Sequence, residues 1–154
     1  MGTPLPGGYV DVFDSGGNYV KRVATNGPLD APWGVAQAPA SGFGSFSGDI
    51  LIGNFFPGGT INVFDPTTNA FLGPLTGPNG LPITNDFLWA LDFGNGGPGF
   101  SSTTLYFTAG VNHQKDGLFG SIQVVPEPGV LGLTAIGLLS ILGARSRSRR
   151  THRR

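Results

Sequence analysis

The feature that most constrains this chain is that it repeats itself. Gly8-Tyr9-Val10-Asp11-Val12-Phe13-Asp14 matches Gly59-Thr60-Ile61-Asn62-Val63-Phe64-Asp65, 51 residues on. A third copy, Gly120-Ser121-Ile122-Gln123-Val124-Val125, follows 61 residues later. In each copy apolar residues alternate (Val10/Val12, Ile61/Val63, Ile122/Val124), the period of a strand with one buried face. Between the copies, Trp33-Gly34-Val35-Ala36 matches Trp89-Ala90-Leu91-Asp92, and Ile50-Leu51-Ile52 matches Leu105-Tyr106-Phe107. Gly, Pro, Asn and Asp fall between these runs, where turns need them. Units of about 50 residues with four short strands are a propeller-blade pattern. A β-sandwich explains the alternation but not the recurring strand order.

The expected fold is therefore mainly β: a partial β-propeller of about two blades of antiparallel strands. Its units lie near 8–58 and 59–119, and a third starts at 120–125. Residues 8–24 supply two strands, 33–73 a four-stranded blade and 87–125 three strands. A closed ring needs about four blades of four. The chain is thus expected to be an N-terminally truncated piece of a longer protein, with a ring of several copies as the alternative.

Composition limits the chemistry. The 27 Gly and 13 Pro of 154 residues would suggest disorder, but 39% of residues are hydrophobic and fall in the short alternating runs above. The absence of Cys excludes disulfides, a cysteine nucleophile and a thiolate metal site. The zero net charge hides a division. All nine acidic residues precede position 128, while six of the nine basic ones are Arg145, Arg147, Arg149, Arg150, Arg153 and Arg154. An acidic body argues against a nucleic-acid partner.

Residues 126–154 read as a separate tail. Gly129 to Ala144 carries no charge, and only Thr134 and Ser140 are polar. As a helix it would be about 24 Å long, against about 30 Å of hydrocarbon, a shortfall that arginine snorkelling and local thinning cover. A single transmembrane helix over 129–144 is expected, with Arg145, Arg147, Arg149 and Arg150 as a cytoplasmic stop-transfer cluster.

Val125-Pro126-Glu127-Pro128, then the apolar run, then the arginines, resembles the PEP-CTERM sorting signal of exopolysaccharide-producing Gram-negative bacteria. That resemblance implies recognition and cleavage by an exosortase at Pro126-Glu127-Pro128. It also implies an inner-membrane single-pass precursor, and delivery to the envelope or extracellular matrix. Two prolines hold the extended backbone that a protease cleft accepts. The body resembles NHL-repeat propellers in Leu29-Asp30-Ala31-Pro32-Trp33-Gly34-Val35-Ala36 and in Gly59-Thr60-Ile61-Asn62-Val63-Phe64-Asp65. Together these imply a PEP-CTERM-tagged bacterial propeller protein whose partners are an exosortase, membrane lipid and exopolysaccharide.

Catalytic groups are sparse, and no cofactor is implied. His113 sits in a Gly110–Gly120 hairpin and reads as a loop residue. Asp86 and Asp92, with Asn85 beside them, are weak candidates for a cation at a channel mouth. Asp14-Ser15-Gly16-Gly17-Asn18 and Asp65-Pro66-Thr67-Thr68-Asn69 read as hairpin turns rather than calcium loops. Trp33 and Trp89 read as blade-packing residues. The expected function is a non-enzymatic exported protein. The rivals are a hydrolase or lactonase whose site lies in missing blades, and a permanent single-pass protein with a small-ligand or carbohydrate-binding β domain.

Overall fold

The computed structural model describes residues 7–56 and 58–125. They are mainly β, in three antiparallel sheets that follow one another along the chain. The first sheet pairs β1 (Tyr9–Phe13) with β2 (Tyr19–Thr25). The middle sheet runs in sequence order through β3 (Pro32–Gln37), β4 (Ile50–Asn54), β5 (Ile61–Phe64) and β6 (Phe71–Pro74). The third contains β7 (Leu88–Phe93), β8 (Leu105–Ala109) and β9 (Leu118–Ile122).

The repeat is visible in the turns. The Asp14 carboxylate accepts from the backbone N–H groups of Gly16 (2.9 Å) and Asn18 (2.8 Å) and so closes the β1–β2 hairpin. Asp65 does the same between β5 and β6, accepting from Thr67 (2.8 Å) and Thr68 (2.6 Å). A short side-chain acceptor that mimics the backbone is what Asp contributes at such turns.

Alternation then distributes the core over two layers. Ile52 and Phe64, with Ile50 beside them, pack on Val10, Val12, Val23, Ala24 and Leu29. From the other face of the same sheet, Ala36, Leu51, Ile61 and Val63 pack on Leu88, Leu91, Leu105, Phe107 and Ala109. The middle sheet is therefore covered on both sides, and every residue of β5 is buried. β3 lies directly against β7: a Cβ added at Gly34 would sit 2.9 Å from the Leu91 backbone nitrogen and 3.0 Å from the Trp89 carbonyl oxygen. No comparable approach joins β6 to β9. The middle and third sheets thus converge at their first strands.

One expected match moves. Leu105 pairs with Ile122 as Ile50 pairs with Phe64. Ile122 therefore occupies the place of Phe64, three residues from its sequence match to Ile61. Gly120 explains the shift. It pairs with Phe107, and a Cβ there would lie 2.3 Å from the Phe107 ring, so only glycine fits beneath that ring. Val124 and Val125 follow the strand rather than extend it.

Among the described residues no helix is long and apolar enough to cross a membrane. The helical pieces described are a 3-10 turn at Gly44–Phe46 and a turn at Val111–Gln114 containing left-handed residues. The helix expected over 129–144 and the arginine tail lie outside the described residues.

Candidate functional site

Two open grooves flank the stacked sheets. One, of about 340 Å³, lies on the outer face of the third sheet, bounded by Asp92, Asn95, Phe100, Tyr106 and Phe119. Tyr106 and Phe119 stack with centroids 5.7 Å apart and planes 13° from parallel, and Phe100 stands 5.2 Å from Tyr106. The Tyr106 hydroxyl donates to the Gly99 carbonyl (3.0 Å), which fixes the Gly94–Thr104 loop over one end of the strands. Flat rings edged by a carboxylate and an amide make a surface for binding.

The other groove, of about 290 Å³, lies between the first sheet and the back of β3. Val10, Val12, Val23, Val35 and Ile50 line it. Its outer margin carries the ion pair of the described residues. Arg22 grips Asp11 through Nε (2.7 Å) and Nη2 (2.9 Å) and lies 4.5 Å over the Tyr9 ring. The hydrogen bonds from Arg22 hold the Asp11 carboxyl below its ordinary value. Polar contacts close the far side. The Lys21 ammonium donates to the Pro66 carbonyl and to Asn69 Oδ1 (3.0 Å), so the first sheet is tied to the β5–β6 turn.

The residues singled out from sequence are scattered. Asp86 precedes β7 and accepts from the Gly58 N–H, while Asp92 sits near the other end of that strand, so the two do not converge. Asn85 donates its backbone N–H to the Gly59 carbonyl (2.9 Å). Among the described residues no group of three or more His, Cys, Asp or Glu comes together. His113 is exposed in the left-handed turn after β8. Trp89 is half-buried over Gly110, whose added Cβ would lie 2.7 Å from the indole. Trp33, expected as a packing residue, is instead 66% exposed and touches Phe55 at 5.3 Å. Among the described residues the first sheet has two strands, and the back of β3 lies open beside it. Val125 is exposed, and Pro126, Glu127, Pro128, Arg145, Arg147, Arg149 and Arg150 lie outside the described residues.

Sequence reasoning missed both grooves. The signal for the groove on the third sheet was the exchange of Leu51 for Tyr106 at matching positions, an amphipathic ring where the repeat otherwise places an aliphatic side chain.

The chain is similar to three uncharacterised proteins of Acanthamoeba polyphaga mimivirus. It is 36% identical to L690 over 116 residues, which is 75% of this chain and 29% of that protein. With R648 the identity is 34% over 116 residues, again 75% of this chain and 27% of the relative. With R640 it is 31% over 107 residues, 70% of this chain and 19% of the relative. The chain thus spans less than a third of the length of the curated relatives it matches. No family model matches, and no solved structure does.

These findings correct three expectations. The resemblance to a PEP-CTERM-tagged bacterial propeller with NHL-like repeats is not upheld: the relatives are viral and no family model for either feature matches. The assignment to a Gram-negative cell surface falls with it. So does the inner-membrane precursor with its arginine tail in the cytoplasm, since the relatives are viral. The short Val125-Pro126-Glu127-Pro128 motif and an apolar run next to arginines had carried that reading. Both are simple enough in composition to arise without a sorting role.

Proposed function

We propose that this chain is a section of a β-propeller that serves as a non-catalytic binding scaffold. The observation that carries the reading is the convergence of sheets at their first strands. Gly34 of β3 meets the backbone of β7 with no room for a methyl group, while the later strands separate. Blades arranged about a common axis have this wedge relation, whereas the two sheets of a sandwich stay about 10 Å apart. The consecutive strand order of the middle sheet and the matching Asp14 and Asp65 turns support it further. A binding role is favoured because the open surfaces present aromatic and aliphatic side chains, while the acidic groups lie apart.

The test is a set of interproton distances in solution. A nuclear Overhauser contact between the Leu91 amide and the Gly34 α-protons is expected, with none between β6 and β9. Equal spacing along all the strands would mean a sandwich. The scaffold role is checked separately by assaying esters, lactones and glycosides; turnover that stays with the protein through purification would refute it.

A further inference from the structure

The two Asp-led hairpins use the same asparagine in different ways. In the β1–β2 turn the Asn18 side-chain nitrogen donates back to its own Asp14 carboxylate (3.0 Å). In the β5–β6 turn the matching Asn69 side chain reaches across to the first sheet instead. Its Oδ1 accepts from the Lys21 ammonium (3.0 Å), and its Nδ2 donates to the Arg22 carbonyl (3.3 Å). Two consecutive residues of β2 thus hold both ends of one carboxamide. The backbone is held as well: Asn69 is left-handed, at a φ of +59°, and its N–H donates to the Asp65 carbonyl (2.9 Å). Lys21 is half-buried and stands opposite Val12, which packs in one layer with Val23, Leu29, Ile52 and Phe64. Among the described residues no carboxylate lies within ion-pair distance of its ammonium. Both acceptors it meets, the Pro66 carbonyl and Asn69 Oδ1, are neutral. Asp65 is the acid that feels its charge. Hydrogen bonds from Thr68 and Thr67 hold that carboxyl below its ordinary value, and Lys21 acts on it in the same direction.

We propose that Lys21 and Asn69 join in an intramolecular isopeptide bond that fastens the first sheet to the middle one. Lys21 Nζ passes one proton to the Asp65 carboxylate, and the freed electron pair attacks Asn69 Cγ. The Nζ–Cγ bond forms and the Cγ–Nδ2 bond breaks. Nδ2 leaves as ammonia, taking a second proton from Nζ, while the third stays on the new amide nitrogen. The ammonia takes up the Asp65 proton as it departs to solvent, so the carboxylate is restored and nothing is oxidised or reduced. Holding the amine against the amide supplies the effective concentration that such an exchange lacks in solution. A carboxylate that accepts the proton adds to it. Every group the reaction uses lies between Val12 and Asn69. The bond would span a sequence separation of 48 residues. A cross-link of that kind stabilises a fold mainly by restricting the unfolded chain.

The test is the intact mass of the purified full chain, followed through incubation at mildly alkaline pH. Cross-strand nuclear Overhauser contacts between β4 and β5 show in parallel that the chain is folded. Expected is a mass lower than that of the sequence by one ammonia. A proteolytic digest should also keep the peptide carrying Lys21 joined to the one carrying Asn69. Lys21→Arg keeps the charge but offers no attacking amine, and Asn69→Gly keeps the left-handed turn without a carboxamide. Both variants should show the full mass. Asp65→Asn keeps an acceptor for the turn and loses the base, so the bond should form at least about tenfold more slowly. The Thr67 and Thr68 amide shifts should stay in place in that variant, and an unchanged rate would overturn the proton route through Asp65. Persistence of the full mass in the folded native chain would overturn the proposal. So would a loss of ammonia that survives in Lys21→Arg, because a succinimide at an Asn-Gly pair gives the same change. Absence of the β4–β5 contacts would overturn it too, since the amine and the amide would not then meet.

Discussion

The middle sheet and the two outer ones are built from the same repeat, yet they live in different surroundings. Phe64 of the middle sheet is 3% exposed, and its counterpart Phe13 in the first sheet is 57% exposed. Both rings meet an aromatic partner across the hairpin, Phe71 at 5.4 Å and Tyr19 at 5.9 Å. The loop residue Phe43 is 2% exposed and packs edge-on against Phe93 at 4.9 Å; in the corresponding loop of the third sheet, Phe100 is 48% exposed. Asn62, buried, donates to the Pro28 carbonyl (2.7 Å), while Asp11 at the matching site turns outward to Arg22. Local pattern therefore sets strand and register, and the neighbouring sheet sets whether a position is core. The polar exchange follows that rule: a buried site takes a neutral amide with a partner, and an open one can hold an ion pair.

The widest test of this contrast is a pair of truncations. Phe64→Ala should cost about 3–5 kcal/mol, the range for emptying a packed aromatic site. Phe13→Ala should cost about 1 kcal/mol, for it forfeits little more than the edge contact with Tyr19. Urea unfolding of both variants measures the difference. Equal losses would show that the first sheet is covered as fully as the middle one. A second pair is smaller. Gly34→Ala drives a methyl group into the backbone of β7 and should cost about 1–3 kcal/mol. Ala90→Gly, at the matching site on the third sheet, should cost less than about 1 kcal/mol, since it only frees the backbone. A neutral Gly34→Ala would mean that the two sheets do not converge there.

Much of the fold was legible because strand signals are local. Alternation marked the runs around Val10 and Ile61, the match to Ile50-Leu51-Ile52 marked the run at Leu105, and Asp-led turns marked the hairpins at Asp14 and Asp65. The register of β9 was not legible. It depends on Gly120 lying under the Phe107 ring, a contact between strands that no local pattern encodes. The exposure of Trp33 was missed for the same kind of reason, since burial there depends on strands that would cover β3. The candidate grooves were still less visible. They arise where the repeat stops covering itself, whereas the search from sequence sought clustered acids and histidines. The tail was read from composition and one short motif, and that reading did not survive the comparison with viral relatives.

Titration should separate the two environments in sign, with effects smaller than those above. Hydrogen bonds from Arg22 lower the Asp11 carboxyl, so its folded value lies below the unfolded one of about 3.9. Its contribution is present above that unfolded value and lost as pH falls through the folded one. Asp49, at the entry to β4, goes the other way. Burial, and then the charge of Asp65, push its carboxyl up. The folded state therefore takes up this proton before the unfolded chain does, and stability rises as pH falls through the raised value. Asp11→Asn should reduce the loss of stability in acid, and Asp49→Asn should raise stability at neutral pH. Urea midpoints at neutral pH and near pH 3–4 check both; the same sign for the two variants would contradict the assignment of Asp49 to a more buried site than Asp11.

The smallest effect concerns how the two sheets make the same connection. Between β4 and β5 the chain turns through Gly58, at a φ of +76°, where glycine is unstrained. Between β8 and β9 it turns through Asn112, His113 and Gln114, at φ of +53°, +54° and +64°. Asn and His tolerate the left-handed region better than most side chains, so Gln114 bears the greatest strain of the three. Its backbone N–H donates to the Gly110 carbonyl (3.0 Å), a bond that does not depend on the side chain. Gln114→Gly should therefore raise stability by about 0.5 kcal/mol, the relief of strain being partly offset by the freer unfolded chain. Thermal unfolding with matched urea curves can resolve a shift of that size. A loss instead would show that the Gln114 side chain holds the turn, and that the third sheet fixes this connection by contact where the middle one uses glycine.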